Sequence, residues 1–204
     1  VNSIYESVDA LEGLFSELLD ITRIDSGGVE VHPQHFAIKD LYRKLRLHFE
    51  PLAFEKGLAL RFRGSQHVAL ADALLVERIM RNLVSNAIRY TIDGSVLVSC
   101  RRRGDRLMLQ VWDTGTGIAP ADQQRVFDEF VQLGNPQRDA AQGVGLGLPT
   151  TRRLADLLGH GLQLQSQPGR GSCFTLMMDS STLPSEPAAA APPEAPADAL
   201  HGRV

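Results

Sequence analysis

Apolar and polar residues recur along this chain with two different periods, and the changes of period divide it into elements. Residues 1–25 place Ile4, Val8, Leu11, Phe15 and Leu18 at alternating steps of four and three, the seam of a helical bundle or coiled coil. Leu14, Leu19 and Ile21 widen the stripe, and Ser26-Gly27-Gly28 ends it. A helix with so wide an apolar stripe calls for a partner helix, expected from a second chain. Val29–Phe36 alternates around Pro33 and reads as an edge strand. Ile38–Lys56 is an amphipathic helix with Pro51 as a candidate bend, Leu58–Arg63 alternates as a strand, and Val68–Ala71 reads as a short strand. A long helix follows over Ala73–Thr91, closed by an Asp93-Gly94 turn.

Ser95–Arg102 and Arg106–Trp112 alternate on either side of Gly104-Asp105, a strong hairpin signal. Ala121–Phe130 reads as a short helix with Pro120 at its start, where a proline costs no helical hydrogen bond. Val131–Val144 is polar and Gly-rich, the composition of a loop, and Leu148–Leu158 is a helix closed by Gly159. Leu162–Ser166 and Ser172–Met178 make a last hairpin around Pro168-Gly169-Arg170-Gly171. From Ser180 on, Pro, Ala and Glu dominate, the composition of a disordered linker or tail. Strands interleaved with helices, two hairpins among them, predict an α/β two-layer sandwich with a mixed sheet rather than a doubly wound parallel fold. Three segments follow: a partial bundle helix over 1–26, a globular domain over 29–179 and a tail over 180–204.

Composition narrows the function. The chain has 204 residues and a net charge of −3, so no bulk attraction to nucleic acid or to an anionic membrane is expected. Arg101-Arg102-Arg103 at a strand end reads as a solvated face. The two cysteines, Cys100 and Cys173, lie far apart in strand-like sequence; buried free thiols in a reducing, cytoplasmic compartment are expected, and no zinc-ligand spacing is present. No apolar run approaches the ~18 residues of a membrane helix. The chain opens on Val already in helical register, as a piece of a longer protein would, and a membrane anchor elsewhere in the parent stays open.

Three stretches bear chemistry. In Arg81–Thr91, Asn82, Asn86 and Arg89 share one helical face with Tyr90 at its margin, while Ile79, Leu83 and Ala87 share another. The second face is core; the first is a polar stripe that meets either water or a polar ligand. An amide oxygen suits Mg²⁺ and a guanidinium suits phosphate. In Val111–Ile118, a strand runs into Asp113 and then Gly115 and Gly117. A carboxylate there can accept from an exocyclic amine such as that of adenine, and glycine admits close approach; an ordinary Asp/Gly turn is the alternative. Gly143-Val144-Gly145-Leu146-Gly147-Leu148 precedes a helix, where freed N–H groups and the helix N-terminus favour phosphate. It lacks the Gly-Lys-Ser/Thr ending of a P-loop and the context of the dinucleotide fingerprint.

The order of these boxes, with Val126-Phe127-Asp128-Glu129-Phe130 between the second and third and Gly169-Arg170-Gly171-Ser172-x-Phe174 at the end, resembles the Bergerat ATP-binding fold. Histidine kinases, type II topoisomerases, heat-shock chaperone ATPases and mismatch-repair ATPases share that fold. The Phe box is close to the histidine-kinase pattern, and Leu18–Gly27 is similar to the end of the second helix of the kinase dimerisation domain. The resemblance implies a mostly antiparallel sheet with helices on one face, and ATP and Mg²⁺ as ligands. It implies that Asn86 holds Mg²⁺ with Asn82 nearby, that Arg89 touches phosphate and that Tyr90 lies against the adenine. Asp113 would bind the adenine amine, with Gly115, Gly117 and Ile118 shaping the pocket. Phe127 and Phe130 would anchor the lid base, Gly143 to Leu148 would wrap the phosphates, and Ser172 would sit near the adenine. Pro149-Thr150 departs from the small and β-branched apolar pair common there and is expected to stiffen the lid hinge.

The resembling ATPases carry a Glu as general base where Asn82 stands, and an amide cannot accept a proton at neutral pH. That favours a histidine kinase over an ATPase, a related serine kinase or a non-catalytic nucleotide-binding module. The implied partners are the chain's own dimerisation domain in a homodimer, its phosphoacceptor histidine, and a response regulator or fused receiver domain. None of the six histidines stands in the acceptor setting of a histidine next to an acidic residue on a helix, so the acceptor is expected outside this chain.

Overall fold

The computed structural model describes Thr22, Ile24, residues 26–132 and residues 145–179. The Ile4–Leu18 stripe, Gly143-Val144 and the tail from 180 lie outside the described residues. In chain order the elements are β1 (Gln34–Ala37), α1 (Ile38–Glu55), β2 (Ala59–Arg63), β3 (Val68–Ala71), α2 (Ala73–Tyr90), β4 (Ser95–Arg103), β5 (Arg106–Asp113), α3 (Gly147–Leu157), β6 (Gly161–Gln167) and β7 (Gly171–Asp179). Five strands form one sheet in the order β2-β4-β5-β7-β6, and β1 pairs with β3 in a separate two-stranded sheet. Within the large sheet β2 runs parallel to β4, and the other pairs are antiparallel. The expected mixed, mostly antiparallel sheet is therefore present.

Strand alternation decides which face the helices cover. Val96, Val98 and Cys100 of β4, Leu107, Leu109 and Val111 of β5, and Phe174, Leu176 and Met178 of β7 are all buried. They share one core with Leu41 and Leu45 of α1, Ile79 and Leu83 of α2, and Leu154 of α3. Each such side chain removed from water contributes ~1.5–3 kcal/mol. The opposite face is more polar. There Gln110 is buried and donates to the Thr175 hydroxyl at 3.0 Å, and Trp112 is partly exposed. Cys100 and Cys173 are both buried free thiols, and burial pushes the Cys100 thiol up to about 12.

Three local expectations change. The short helix expected over Ala121–Phe130 is two 3₁₀ turns, Pro120–Asp122 and Arg125–Phe127. Only Val126 in these turns is buried, too little apolar surface to hold a longer helix. The Gln123 amide between them donates to Ile118 O at 3.1 Å and Ser166 O at 2.9 Å, tying the segment to β6. The expected strand from Val29 pairs only over Gln34–Ala37. Pro33 has no N–H for a ladder, and the His32 N–H donates to the Asp72 carboxylate at 2.9 Å instead. Finally, α1 runs through Pro51 to Glu55 as one helix; the donor that Pro51 lacks would have met Leu47, whose side chain lies on the solvent side.

Candidate functional site

Asp72 starts α2: its carboxylate accepts from the Leu74 and Leu75 N–H groups at 3.0 and 3.1 Å, satisfying two donors that the first turn would leave free. From there the helix buries Val76, Ile79, Met80, Leu83, Val84, Ala87 and Ile88. The core pins these residues inward, so Asn82 and Asn86 point off the core with Arg89 and Tyr90 beyond them. Asn86 and Tyr90 line a cleft beside the sheet.

At the far side of that cleft stands Asp113, the last residue of β5. One carboxylate oxygen accepts from Gly115 N–H at 2.9 Å and Ser172 N–H at 3.2 Å. Burial raises the Asp113 carboxyl above its usual range, and those two backbone donors offset part of the rise. Both donors converge on the same oxygen, which leaves the other available to a ligand's donor. Three glycines let backbone segments crowd around this carboxylate. A Cβ on Gly115 would stand 2.4 Å from Tyr90 O, one on Gly117 2.0 Å from Gln167 O, and one on Gly171 2.0 Å from Asp113 O. Gly115 therefore admits the end of α2 rather than a flat ligand, while Gly117 lines the cleft itself.

A hydroxyl pair braces the floor. Ser166 Oγ accepts from Ile118 N–H at 2.7 Å, donates to Gly171 O at 3.0 Å and lies 2.9 Å from Ser172 Oγ. Ile118 and Ser172 both face the cleft.

On the opposite wall Val126 and Val131 face the cleft. Phe127 packs edge-on to Phe174, and the Arg152 guanidinium stacks over the Phe127 ring at 4.1 Å. Phe130 is exposed and has φ 61°, a conformation rare outside glycine. Its N–H donates to Gly145 O at 3.2 Å. Leu146 is buried and Leu148 lines the cleft. Gly147 begins α3, and its carbonyl accepts from Thr151 Oγ1 at 2.9 Å and from the Asn82 amide at 3.2 Å.

Asn86, Tyr90, Asp113, Gly117, Ile118, Leu148 and Ser172 thus share one cleft. Asn82 instead joins α2 to α3. Arg89 is exposed beyond the cleft lining, Gly115 packs on Tyr90, Phe127 packs between Phe174 and Arg152, and Phe130 meets Gly145. Gly143 and Val144 lie outside the described residues. Sequence reasoning passed over Thr116, Val126, Val131 and Phe174 as lining residues, and Ser166 as their brace. Ser166 carried a signal, since it follows Leu162 and Leu164 on the inward phase of β6, where a third apolar residue was due.

Residues 71–182 match the family model for histidine kinase-, DNA gyrase B- and HSP90-like ATPases. The chain belongs to this family. The virulence sensor protein BvgS of Bordetella bronchiseptica is 36% identical over 92% of the chain, and the sensor histidine kinase RcsC of Escherichia coli K12 is 31% identical over 86%. The chain spans 16% and 19% of these two relatives' lengths. Among solved structures, full-length ShkA in complex with AMPPNP superposes with a TM-score of 0.78 at 28% identity, over 88% of this chain and 38% of that one. The catalytic domain of histidine kinase ThkA matches 73% of this chain and 96% of its own with a TM-score of 0.64; at 21% identity it supports the fold alone. Within the ATPase family, the cleft between α2, β5 and the start of α3 is the feature that the sequence boxes surround.

Proposed function

We propose that this chain is the ATP-binding catalytic domain of a two-component sensor histidine kinase, acting on a histidine outside the chain. The observation that supports it most is that Asn86 and Asp113, 27 positions apart in the numbering, face one cleft that ends at the glycine-led start of α3. The second Asp113 oxygen suits the amine of adenine. Tyr90, Ile118, Val126 and Phe174 offer apolar walls for the ring. At the other end the Asn86 amide is a hard oxygen donor that fits Mg²⁺, with Arg89 beyond it for phosphate oxygens. When bound, Mg²⁺ supplies charge neutralisation between phosphate oxygens. The chain's own residues orient the base, hold the triphosphate against α2 and α3, and exclude water from the apolar end. The γ-phosphoryl group then passes to an imidazole nitrogen of the acceptor, and ADP leaves.

Asn82 speaks against an intrinsic ATPase: its amide nitrogen donates to Gly147 O, the opposite of a general base accepting a proton from water. Homodimerisation, a response regulator or receiver partner, and a cytoplasmic position follow from the same proposal. No helix among the described residues is long and apolar enough to cross a membrane.

Calorimetric titration with a non-hydrolysable ATP analogue and Mg²⁺ tests the reading. Binding that depends on Mg²⁺, and loses that dependence in Asn86→Ala, supports it; binding indifferent to both rejects the metal assignment. With γ-labelled ATP the chain alone is expected to give no stoichiometric phosphohistidine. Labelling should appear only when the parent's dimerisation domain is added.

A further inference from the structure

A helix ends with four carbonyls that its own backbone leaves unpaired, and with partial negative charge. At the end of α2 the C-cap residue fills the first of them, and groups from elsewhere in the chain fill the other three. Ala87 O accepts from Thr91 N–H at 3.1 Å and from the Thr91 hydroxyl at 2.6 Å. Tyr90 O accepts from Thr116 N–H at 3.3 Å. The two between, Ile88 O and Arg89 O, both accept from one ammonium, Lys56 Nζ, at 2.9 and 3.0 Å.

Lys56 comes from a different helix, and its backbone is anchored. It is the C-cap of α1, with its N–H on Leu52 O at 3.2 Å. Gly57 follows at φ 70°, and Leu58 N–H closes on Ala53 O at 2.8 Å between two buried side chains. This turn aims the lysine across at α2 at little entropic cost beyond its own side chain.

We infer that Lys56 is a positioning residue for phosphoryl transfer: it clamps the last turn of α2 and so sets the direction of the Arg89 guanidinium, while its charge offsets the negative end of that helix. It touches neither nucleotide nor metal. The inference rests on the proposed role of Arg89.

A double-mutant cycle on the full chain, read by calorimetry with the Mg²⁺-bound non-hydrolysable ATP analogue and with adenosine, tests both separately. Lys56→Met is expected to weaken the analogue about tenfold and adenosine less than about twofold, and Lys56→Arg to recover most of the loss. Combined with Arg89→Met, the lysine change should add little, because the group it directs is gone. Additive losses, or equal losses for adenosine and the analogue, overturn the inference and make Lys56 a stability residue. If Arg89→Met alone leaves analogue affinity unchanged, the phosphate role of Arg89 fails instead. Lys56→Gln replaces Lys56→Met in the cycle if urea unfolding shows the methionine variant unfolded.

Discussion

The two ends of the cleft are held in different ways. At the Asp113 end the constraint is backbone against backbone. Gly171 lies on Asp113 O, Gly117 on Gln167 O and Gly115 on Tyr90 O, and a half-buried carboxylate and two serines fill the space between. At the Asn86 end the constraint is made by side chains: Asn82 and Thr151 on Gly147 O, and Arg152 over the Phe127 ring. The first arrangement has no slack, because a peptide cannot rotate away from a neighbour at contact. The second can loosen one hydrogen bond at a time. A base is rigid and flat, whereas a triphosphate changes length and charge as the reaction proceeds, and under the proposed function the two constructions match that contrast.

If this comparison holds, the largest effect belongs to the backbone contacts. Gly171→Ala adds a Cβ 2.0 Å from Asp113 O at φ +94° and should cost about 3 kcal/mol or more in urea unfolding, with nucleotide binding lost. Gly169→Ala, at φ +74° with nothing within 4 Å, should cost only ~1 kcal/mol. Equal effects would show that strain at positive φ, not the close approach, is what matters.

Asp113→Asn comes next. The variant keeps an oxygen for Gly115 and Ser172 but presents an NH₂ where the ligand's amine would donate. Affinity for the ATP analogue should fall by ~10- to 100-fold, the worth of a hydrogen bond to a charged group. Stability should not fall. Burial raises the Asp113 carboxyl in the folded chain, so folding favours its protonated form. That favourable contribution is complete below the unfolded carboxylate value and is lost as pH rises through the raised folded value, so at neutral pH the buried charge is a cost that Asn removes. Conversely, analogue affinity should drop as pH falls through that raised value. A titration flat from pH 7 to pH 4 would remove Asp113 from base recognition.

The smallest effects belong to the side-chain ties. Asn82→Leu and Thr151→Val should each cost ~0.5–1.5 kcal/mol in urea unfolding. Both should weaken the ATP analogue more than adenosine. A loss at Asn82 as large as that at Gly171 would erase the distinction between the two ends.

Most of the fold was legible because its strands alternate cleanly and α2 has two unmistakable faces: seven buried apolar residues on one and the asparagines on the other. What escaped is what depends on partners distant in sequence. Ala121–Phe130 looks helical by propensity, but Gln123 finds Ser166, 43 residues away, and with so little apolar surface the turns stop short. The glycines of the Asp113 stretch were legible as close approaches, though not which backbone they approach, since Gly117 meets a turn 50 positions further on. Lys56 reads in sequence as an ordinary surface lysine ending a helix. Nothing in its neighbourhood along the chain points to Ile88 and Arg89.

Among the described residues one end of the large sheet is β2, which pairs on one side only. It is five residues long, and its outward positions are Ala59, Arg61 and Arg63. A second copy of the chain offering its own β2 would bring like charges face to face along an open row of N–H and C=O groups. The same arginines that look incidental to catalysis therefore disfavour edge-to-edge pairing of two copies through β2.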